Sequence, residues 1–209
     1  MPTKNPNARL EAFSDGVFAI AITLLIIEIK VPKIENIHSV SDMWHAITHL
    51  WPSFFALVLS FLVILIAWVN HHGIFEELDK TSPQFMYANG FFLLTIVVLP
   101  FPSALLGEYI QTDYAQPAIF LFNMACLLNS IGWNIMWMAI EKPKLLAKDS
   151  ESHQFLKDGK KYTIFGFFIN LAVVIFGWWF PLTSICINTV LWCFWLIIGM
   201  TYKKKLEEA

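Results

Sequence analysis

The chain has 209 residues, of which 57% are hydrophobic and 14% are charged, and its formal net charge is -2. A soluble domain carries about 25% charged residues, so this composition excludes an ordinary soluble protein. The small negative charge gives no indication of nucleic-acid binding. Because the apolar residues occur in long blocks, the sequence predicts an integral membrane protein.

Apolar blocks of bilayer-spanning length recur along the chain, since a helix needs about 20 apolar residues to cross a membrane. We assign six spans, at residues 10–30, 50–70, 86–107, 117–139, 162–180 and 183–202. The expected fold is therefore an all-α membrane protein, with residues 1–209 forming one six-span domain.

The first predicted helix has clear start and stop signals. Asn5 and Pro6 fit the N-cap and the first helical position, and Pro32 is expected to end the helix near Val31. At the other end of the chain, Trp179 to Pro181 predict a tight turn between the last two spans.

The connections differ in composition, and they set the orientation. Residues 31–49 are predicted as an outer loop, residues 71–85 as a short acidic inner loop, and residues 140–161 as the most charged inner connection. Of the 14 lysines and arginines, only Lys30 and Lys33 then lie outside. This asymmetry predicts a multi-pass protein of the cell membrane with both termini in the cytoplasm.

The first helix carries one narrow stripe when its residues are placed at about 100° intervals. The stripe contains Gly16, Ile20, Thr23, Leu24, Ile27 and Val31. It is apolar except for the hydroxyl of Thr23, and Glu28 flanks its outer end. Periodicity alone favours ordinary packing of the stripe against a neighbouring helix. For Glu28, a ring of carboxylates at a pore mouth and a solvated side chain at a helix end both remain open.

The inner entrance of the first helix is unusually polar. Arg9, Ser14 and Asp15 lie there, and charged groups at membrane depth need partners inside a helix bundle. Partners are available at the same predicted depth, namely Trp68, Asn70, His71, His72 and Asn89. We expect a hydrogen-bonded network of these residues, and we interpret it as a structural clamp on the first helix.

Metal, haem and enzyme chemistry have little support in the sequence. His71 and His72 lack an opposed histidine in any other span, and the segment from His72 to Glu76 is interpreted as a loop. The outer loop holds His38, His45 and His49, which are candidates for pH sensing or weak metal binding but equally for ordinary loop residues. No nucleophile–base pair, phosphate loop or zinc signature is present, so we expect no enzyme, no metal site and no cofactor.

The polar entrance resembles a known family. Arg9, Phe13, Ser14 and Asp15, followed by Gly-Val-Phe-Ala-Ile-Ala-Ile-Thr-Leu-Leu, resemble the first helix of the lysosomal potassium channel family (transmembrane protein 175) and its prokaryotic relatives. The six-span layout and the cluster of Trp68, His71 and His72 extend this resemblance over nearly the whole chain. Animal members carry two six-span repeats, whereas this chain carries one.

The resemblance implies a moderately selective potassium channel, conducting potassium and other monovalent cations, in which four copies assemble in the bilayer. The first helix of each copy would line the pore, with a hydrophobic constriction at Ile20, a hydroxyl at Thr23 and a further apolar layer at Ile27. Leu24 belongs to the same stripe. The family's structural network corresponds here to Arg9, Phe13, Ser14, Asp15, Trp68, His71, His72 and Asn89.

Two other functions are compatible with six apolar spans. A secondary transporter would need an ionisable group near mid-membrane, and the central portions of all six spans lack Asp, Glu, Lys and Arg. A non-conducting membrane scaffold would tolerate polar substitutions on the stripe of the first helix. The resemblance favours the channel over both.

Overall fold

A computed structural model describes residues 7–141 and 150–207 of the chain, and these are almost entirely helical. The helices are α1 (Ala8–Ile27), α2 (Val40–His49), α3 (Trp51–Glu77), α4 (Pro83–Val98), α5 (Pro100–Tyr109), α6 (Ala115–Glu141), α7 (Ser150–Gly177) and α8 (Pro181–Glu207), with a short 3₁₀ helix at Ile34–Asn36. The expected all-α fold is confirmed.

Within the described residues, five helical segments are long and apolar enough to cross a membrane. They are Ala8–Ile27, Val40–Glu77, Pro83–Tyr109, Ala115–Ile140 and Leu156–Gly177. The apolar stretch Pro181–Ile197 of α8 is shorter. The membrane class is therefore confirmed, and the sixth span stays a prediction.

The first helix ends earlier than predicted. α1 begins at Ala8 after the N-cap residue Asn7, and it ends at Ile27, before the predicted end near Val31. Asn5 and Pro6 lie outside the described residues. The Nδ2 group of Asn7 donates to the carbonyl oxygen of Leu78 at 2.9 Å, which ties the start of α1 to the end of α3.

The predicted outer loop at residues 31–49 contains helix α2, so its interpretation as plain loop is wrong. Ser39 caps α2 by accepting the backbone N–H of Asp42 at 3.1 Å, and the Asp42 carboxylate accepts the backbone N–H of His38 at 3.1 Å. The spacing of Ser39 and Asp42 is that of a capping box, a signal that the sequence already carried.

The predicted inner loop at residues 71–85 is also partly helical. Helix α3 continues to Glu77, which puts His71, His72 and Glu76 on one helix. The loop interpretation of this segment is wrong because α3 extends past the membrane-length block into polar sequence. A similar extension starts α7 at Ser150, well before the predicted span at residues 162–180.

The third predicted span consists of two helices rather than one. α4 ends at Val98 and α5 starts at Pro100, with Leu99 between them. A proline has no backbone N–H, so Pro100 and Pro102 cannot complete an uninterrupted ladder of helical hydrogen bonds. Both prolines are buried, and α5 packs against α3.

Two long helices organise the bundle. α3 contacts α1, α5 and α8, whereas α6 contacts α4, α5, α7 and α8. The core of the bundle includes the fully buried side chains of Phe85, Phe92 and Phe122. α5 approaches α3 closely at Gly107, where an added Cβ would lie 2.8 Å from the Cα of Ser53.

Buried polar side chains also join the helices. Hydrogen bonds connect Ser60 to Ser103, Asn129 to Thr95, Asn170 to Ser130, and Asn123 to both Ser184 and Asn188. Such bonds are a common means of joining helices in lipid, where apolar surface alone gives no preference for protein over bilayer.

Candidate pore helix and its inner-end network

Helix α1 has one buried face and one exposed face within a single chain. The buried residues are Ser14, Phe18, Ala21 and Leu25, whose spacing of three and four positions places them on one side of the helix. Phe18 packs near His71 and Phe92, with ring centroids 5.3 and 6.1 Å apart. This face attaches α1 to the rest of the bundle.

The stripe identified in the sequence lies on the other face of α1. Gly16, Ile20, Thr23, Leu24 and Ile27 are all exposed in the single chain, with 62% exposure for Ile20 and 71% for Ile27. The described residues leave this stripe exposed, so the packing expected from periodicity is not made with another helix of the same chain. An apolar surface of this kind is covered by lipid or by another subunit.

The exposed face contains one polar group, the hydroxyl of Thr23. Its O–H lies 2.9 Å from the carbonyl oxygens of both Ala19 and Ile20, so the proton points back into the helix. The lone pairs of the Thr23 oxygen are then free to face outward as acceptors.

The inner end of α1 is held by two sets of hydrogen bonds, of which the first involves Asp15. The indole N–H of Trp68 on α3 donates to the Asp15 carboxylate at 2.9 Å. Asp15 is half-buried, and Trp68 lies four residues before His72 on the same helix. This bond joins α1 to α3 at the depth where the sequence predicted a partner for the aspartate.

The second set is a chain through Asn89 of α4. The Nδ2 group of Asn89 donates to the Ser14 hydroxyl at 3.0 Å, and the Ser14 hydroxyl donates to the Leu10 carbonyl at 2.9 Å. The Asn89 amide oxygen lies 2.7 Å from the Nε2 atom of His71. Because that oxygen can only accept, the His71 proton must lie on Nε2. Ser14, His71 and Asn89 are all fully buried.

Aromatic rings enclose His71. Phe18, Phe75 and Phe92 have ring centroids 5.3, 4.7 and 5.8 Å from the imidazole. The Nδ1 atom of His71 is buried and has no hydrogen-bond partner among the described residues. The rings and the Asn89 bond together fix this side chain in one orientation.

Other residues predicted for the network lie outside these two sets. Arg9 is exposed, Phe13 is 60% exposed, and Asn70 donates to the Ile66 carbonyl of its own helix. His72 lies instead between two carboxylates, since Nδ1 is 3.2 Å from Oε1 of Glu11 and Nε2 is 3.4 Å from Oε1 of Glu76.

Sequence reasoning missed Glu11 and Glu76 as partners of His72. Glu11 is one helical turn before Asp15, on the same side of α1, so its position could have been found from spacing alone. Glu76 was set aside because the end of α3 was interpreted as a loop.

The outer end of α1 has a separate polar arrangement. Glu28 is an exposed residue at the C-terminal end of the helix, and it lines a cleft of about 360 Å³ together with His49 and Glu108. Lys30 donates to Glu108 at 2.9 Å. This hydrogen bond, together with the negative charge of Glu108, raises the pKa of Lys30 above its ordinary value.

The outer histidines are exposed. His45 and His49 line one shallow surface hollow on α2, and His38 precedes the helix. Across residues 7–141 and 150–207, no three His, Cys, Asp or Glu side chains come together as a metal-binding group.

These features define a class: a multi-helix membrane protein whose first helix is clamped at its inner end and carries an uncovered apolar face.

Comparison with known proteins identifies the family within this class. Residues 9–100 match the model of the endosomal/lysosomal potassium channel TMEM175. A potassium channel of Chamaesiphon minutus is 41% identical over 77% of this chain and 79% of its own length. A potassium channel of Streptomyces collinus is 42% identical over 64% of each chain.

A solved structure agrees with these sequence matches. The crystal structure of a lysosomal potassium-selective channel TMEM175 homolog from Chamaesiphon minutus superposes with a TM-score of 0.82 at 33% identity. The match covers 92% of this chain and 97% of the other. The chain belongs to the TMEM175 family of potassium channels, and the family predicted from the residues of the first helix is confirmed.

Proposed function

We propose that this chain is a moderately selective potassium channel of the cell membrane, in which four identical subunits surround a pore lined by α1. The supporting observation is the face of α1 that carries Ile20, Thr23 and Ile27, because it is apolar and uncovered within one subunit. Family membership supports the activity, and the six predicted spans of one chain are too few to enclose a pore alone, which is why several copies are proposed.

The constriction is assigned to Ile20. A ring of four isoleucine side chains would force a permeating ion to give up part of its hydration shell. Potassium holds its water less tightly than sodium and would cross more readily. A hydrophobic constriction can also close by losing its water. Such a constriction discriminates only moderately between potassium and sodium, since it has no dense ring of carbonyl dipoles to replace the lost water.

Thr23, Leu24, Ile27 and Glu28 complete the pore surface in this proposal. Thr23 lies one turn beyond Ile20, and its outward oxygen would replace part of the water that the ion has lost. Leu24 and Ile27 would extend the apolar wall. Four copies of Glu28 at the outer mouth would raise the local concentration of cations.

The orientation follows the distribution of positive charge. With α1 starting in the cytoplasm, the lysine-rich connection before α7 lies on the inner side, as the positive-inside rule requires. Both termini would then be cytoplasmic. Potassium is the permeant ion, and the proposed mechanism requires no cofactor.

The test is Ile20→Asn, recorded in planar bilayers with potassium and sodium gradients. We expect a two- to tenfold rise in conductance and a loss of potassium preference, since about 1.4 kcal/mol of barrier corresponds to tenfold in rate. Ile26→Asn is the matched control, because Ile26 is also exposed on α1 but lies off the stripe. Unchanged sodium permeability in Ile20→Asn would contradict the assignment.

The same recordings distinguish a channel from the two alternative functions, a secondary transporter and a non-conducting scaffold. A secondary transporter would show a flux that saturates and depends on a coupled substrate. A scaffold would show no current under any condition, and Ile20→Asn would leave it unchanged.

A further inference from the structure

His72 lies at the inner end of α3 with a carboxylate on each side of its ring. The Nδ1 atom is 3.2 Å from Oε1 of Glu11 on α1, and the Nε2 atom is 3.4 Å from Oε1 of Glu76 one turn along α3. The side chain is 42% exposed within the single chain. It is thus a link between two helices near the polar inner end of α3.

Both contacts depend on the charge of the ring. A neutral imidazole has one N–H donor and one bare nitrogen, whereas the imidazolium donates from both nitrogens. Only the imidazolium can therefore donate to Glu11 and Glu76 at the same time. In the neutral form, a nitrogen lone pair must face a carboxylate oxygen, and one of the two contacts is lost.

Trp68 of the same helix contacts the other face of this link. Its indole stacks on His72 at a centroid distance of 6.2 Å and an interplanar angle of 20°. The neighbouring carboxylate on α1, Asp15, accepts the Trp68 N–H.

Other helices also bring charged groups to this side of the membrane. On α7, Lys157, Asp158, Lys160 and Lys161 lie on the same predicted side of the membrane, and Lys161 pairs with Asp158 at 3.0 Å. Residues 181–197 of α8 contain no charged side chain. Arg9 of α1 is exposed and makes no ion pair among the described residues. Within the described part of the chain, Glu11 and Glu76 are thus the charged groups paired with His72.

We propose that His72 is a proton-dependent clasp on the inner end of α1. As an imidazolium it joins Glu11 of α1 to Glu76 of α3, and as a neutral ring it can donate to only one of the two, which weakens its hold on Glu11. The Asp15–Trp68 and Ser14–Asn89 hydrogen bonds hold α1 whether His72 is charged or neutral. The clasp therefore affects the mobility of only the first turns of the helix. Cytoplasmic pH then sets the mobility of the segment that leads into the pore, an effect on ion flow that rests on the proposed channel function.

The test is hydrogen exchange of the full-length protein in lipid nanodiscs, followed in peptides that cover residues 8–16. Wild type and His72→Gln are compared at about pH 6 and about pH 8, on either side of the range in which histidine changes charge. The two proteins are compared with each other at the same pH, so that the pH dependence of intrinsic amide exchange cancels. At the lower pH we expect exchange in the variant to be about two- to fivefold faster, the range for a partly exposed ion pair. At the higher pH the two proteins should agree.

Glu11→Gln should reproduce this pattern, because it removes the charge at the other end of the link. His38→Gln is the control, since His38 is an exposed histidine on the opposite side of the membrane in the predicted topology. An equal effect of His72→Gln at both pH values would show a purely structural role and overturn the clasp. So would the absence of any effect at the lower pH.

Recordings at the same two cytoplasmic pH values separate this inference from the proposed function. The potassium current of wild type should depend on pH, and that dependence should vanish in His72→Gln. If wild type carries no current while the exchange pattern holds, the channel function fails and the clasp stands. If current flows but the exchange pattern is absent, the clasp fails and the channel function stands.

Discussion

At the level of single residues, Asn89 has the most constrained position in the inner-end network. Both halves of its amide are used, since the nitrogen donates to Ser14 and the oxygen lies 2.7 Å from His71. The side chain is fully buried. A buried polar group contributes to a unique structure only when its partners are also satisfied, and here one amide satisfies groups on two other helices.

Asn89→Leu keeps the side-chain volume but leaves the His71 N–H without an acceptor. A change of tautomer does not help, because His71 Nδ1 also lacks a partner among the described residues. We expect a loss of about 1–3 kcal/mol of stability, the cost of one orphaned buried donor. Thermal unfolding in detergent measures it.

Asn70→Leu is the control for this change. Asn70 is the same residue type near the same depth, but it is exposed and bonds only to its own helix. The free energy of unfolding of this variant should lie within about 0.5 kcal/mol of the wild-type value. Equal melting temperatures for Asn89→Leu and wild type would show that the network contributes nothing to stability.

At the level of helices, the contacts are set by small residues and by breaks. α5 follows the α4–α5 break at Pro100 and packs against α3, where Gly107 lets the two backbones come together. Gly90 of α4 is the opposite case, because an added Cβ there would meet nothing within 4 Å. The two glycines therefore have different reasons for lacking a side chain.

Gly107→Ala should destabilise the protein by about 1–3 kcal/mol. The new methyl group would collide with the Ser53 backbone and push α5 away from α3, which is the usual cost of overpacking. Gly90→Ala should instead be neutral or stabilising by up to about 1 kcal/mol, because alanine favours a helix. Chemical denaturation of the two variants side by side gives the comparison. If both variants shift in the same direction, close packing at Gly107 is not the reason for the glycine.

At the level of the whole molecule, the inner-end network fixes how α1 is presented to its surroundings. Ser14, Phe18, Ala21 and Leu25 attach α1 to its own bundle, so the opposite face points away from the chain. In the proposed tetramer, four such faces meet. The Asp15–Trp68 bond is then a condition for assembly rather than a part of the ion path.

Asp15→Ala should therefore weaken the tetramer more than it alters selectivity. We expect dissociated species in size-exclusion profiles in detergent, while the reversal potential of the remaining channels stays near the wild-type value. Trp68→Phe removes the same hydrogen bond from the other side and should give the same direction of change. A shifted reversal potential with an intact tetramer would place Asp15 in the ion path instead.

Much of the inner-end network could be predicted from the sequence. Charged and amide side chains at membrane depth need partners, and only a few polar residues share that depth, so Asp15, Trp68, His71 and Asn89 could be grouped without coordinates. The ends of the helices were harder to predict from the sequence. α2 was missed despite the spacing of Ser39 and Asp42, and the extension of α3 was missed because helical structure does not stop where the apolar block stops.

By itself the sequence determined the membrane class and the family, because long apolar blocks admit few folds and the residues around Asp15 are distinctive. Only the tertiary structure decided which face of α1 is covered. Nearly every face of that helix is apolar, so periodicity cannot choose between Ile20 and Phe18. The choice depends on which side chains fit against α3 and α4, and that fit arises between segments far apart in the chain.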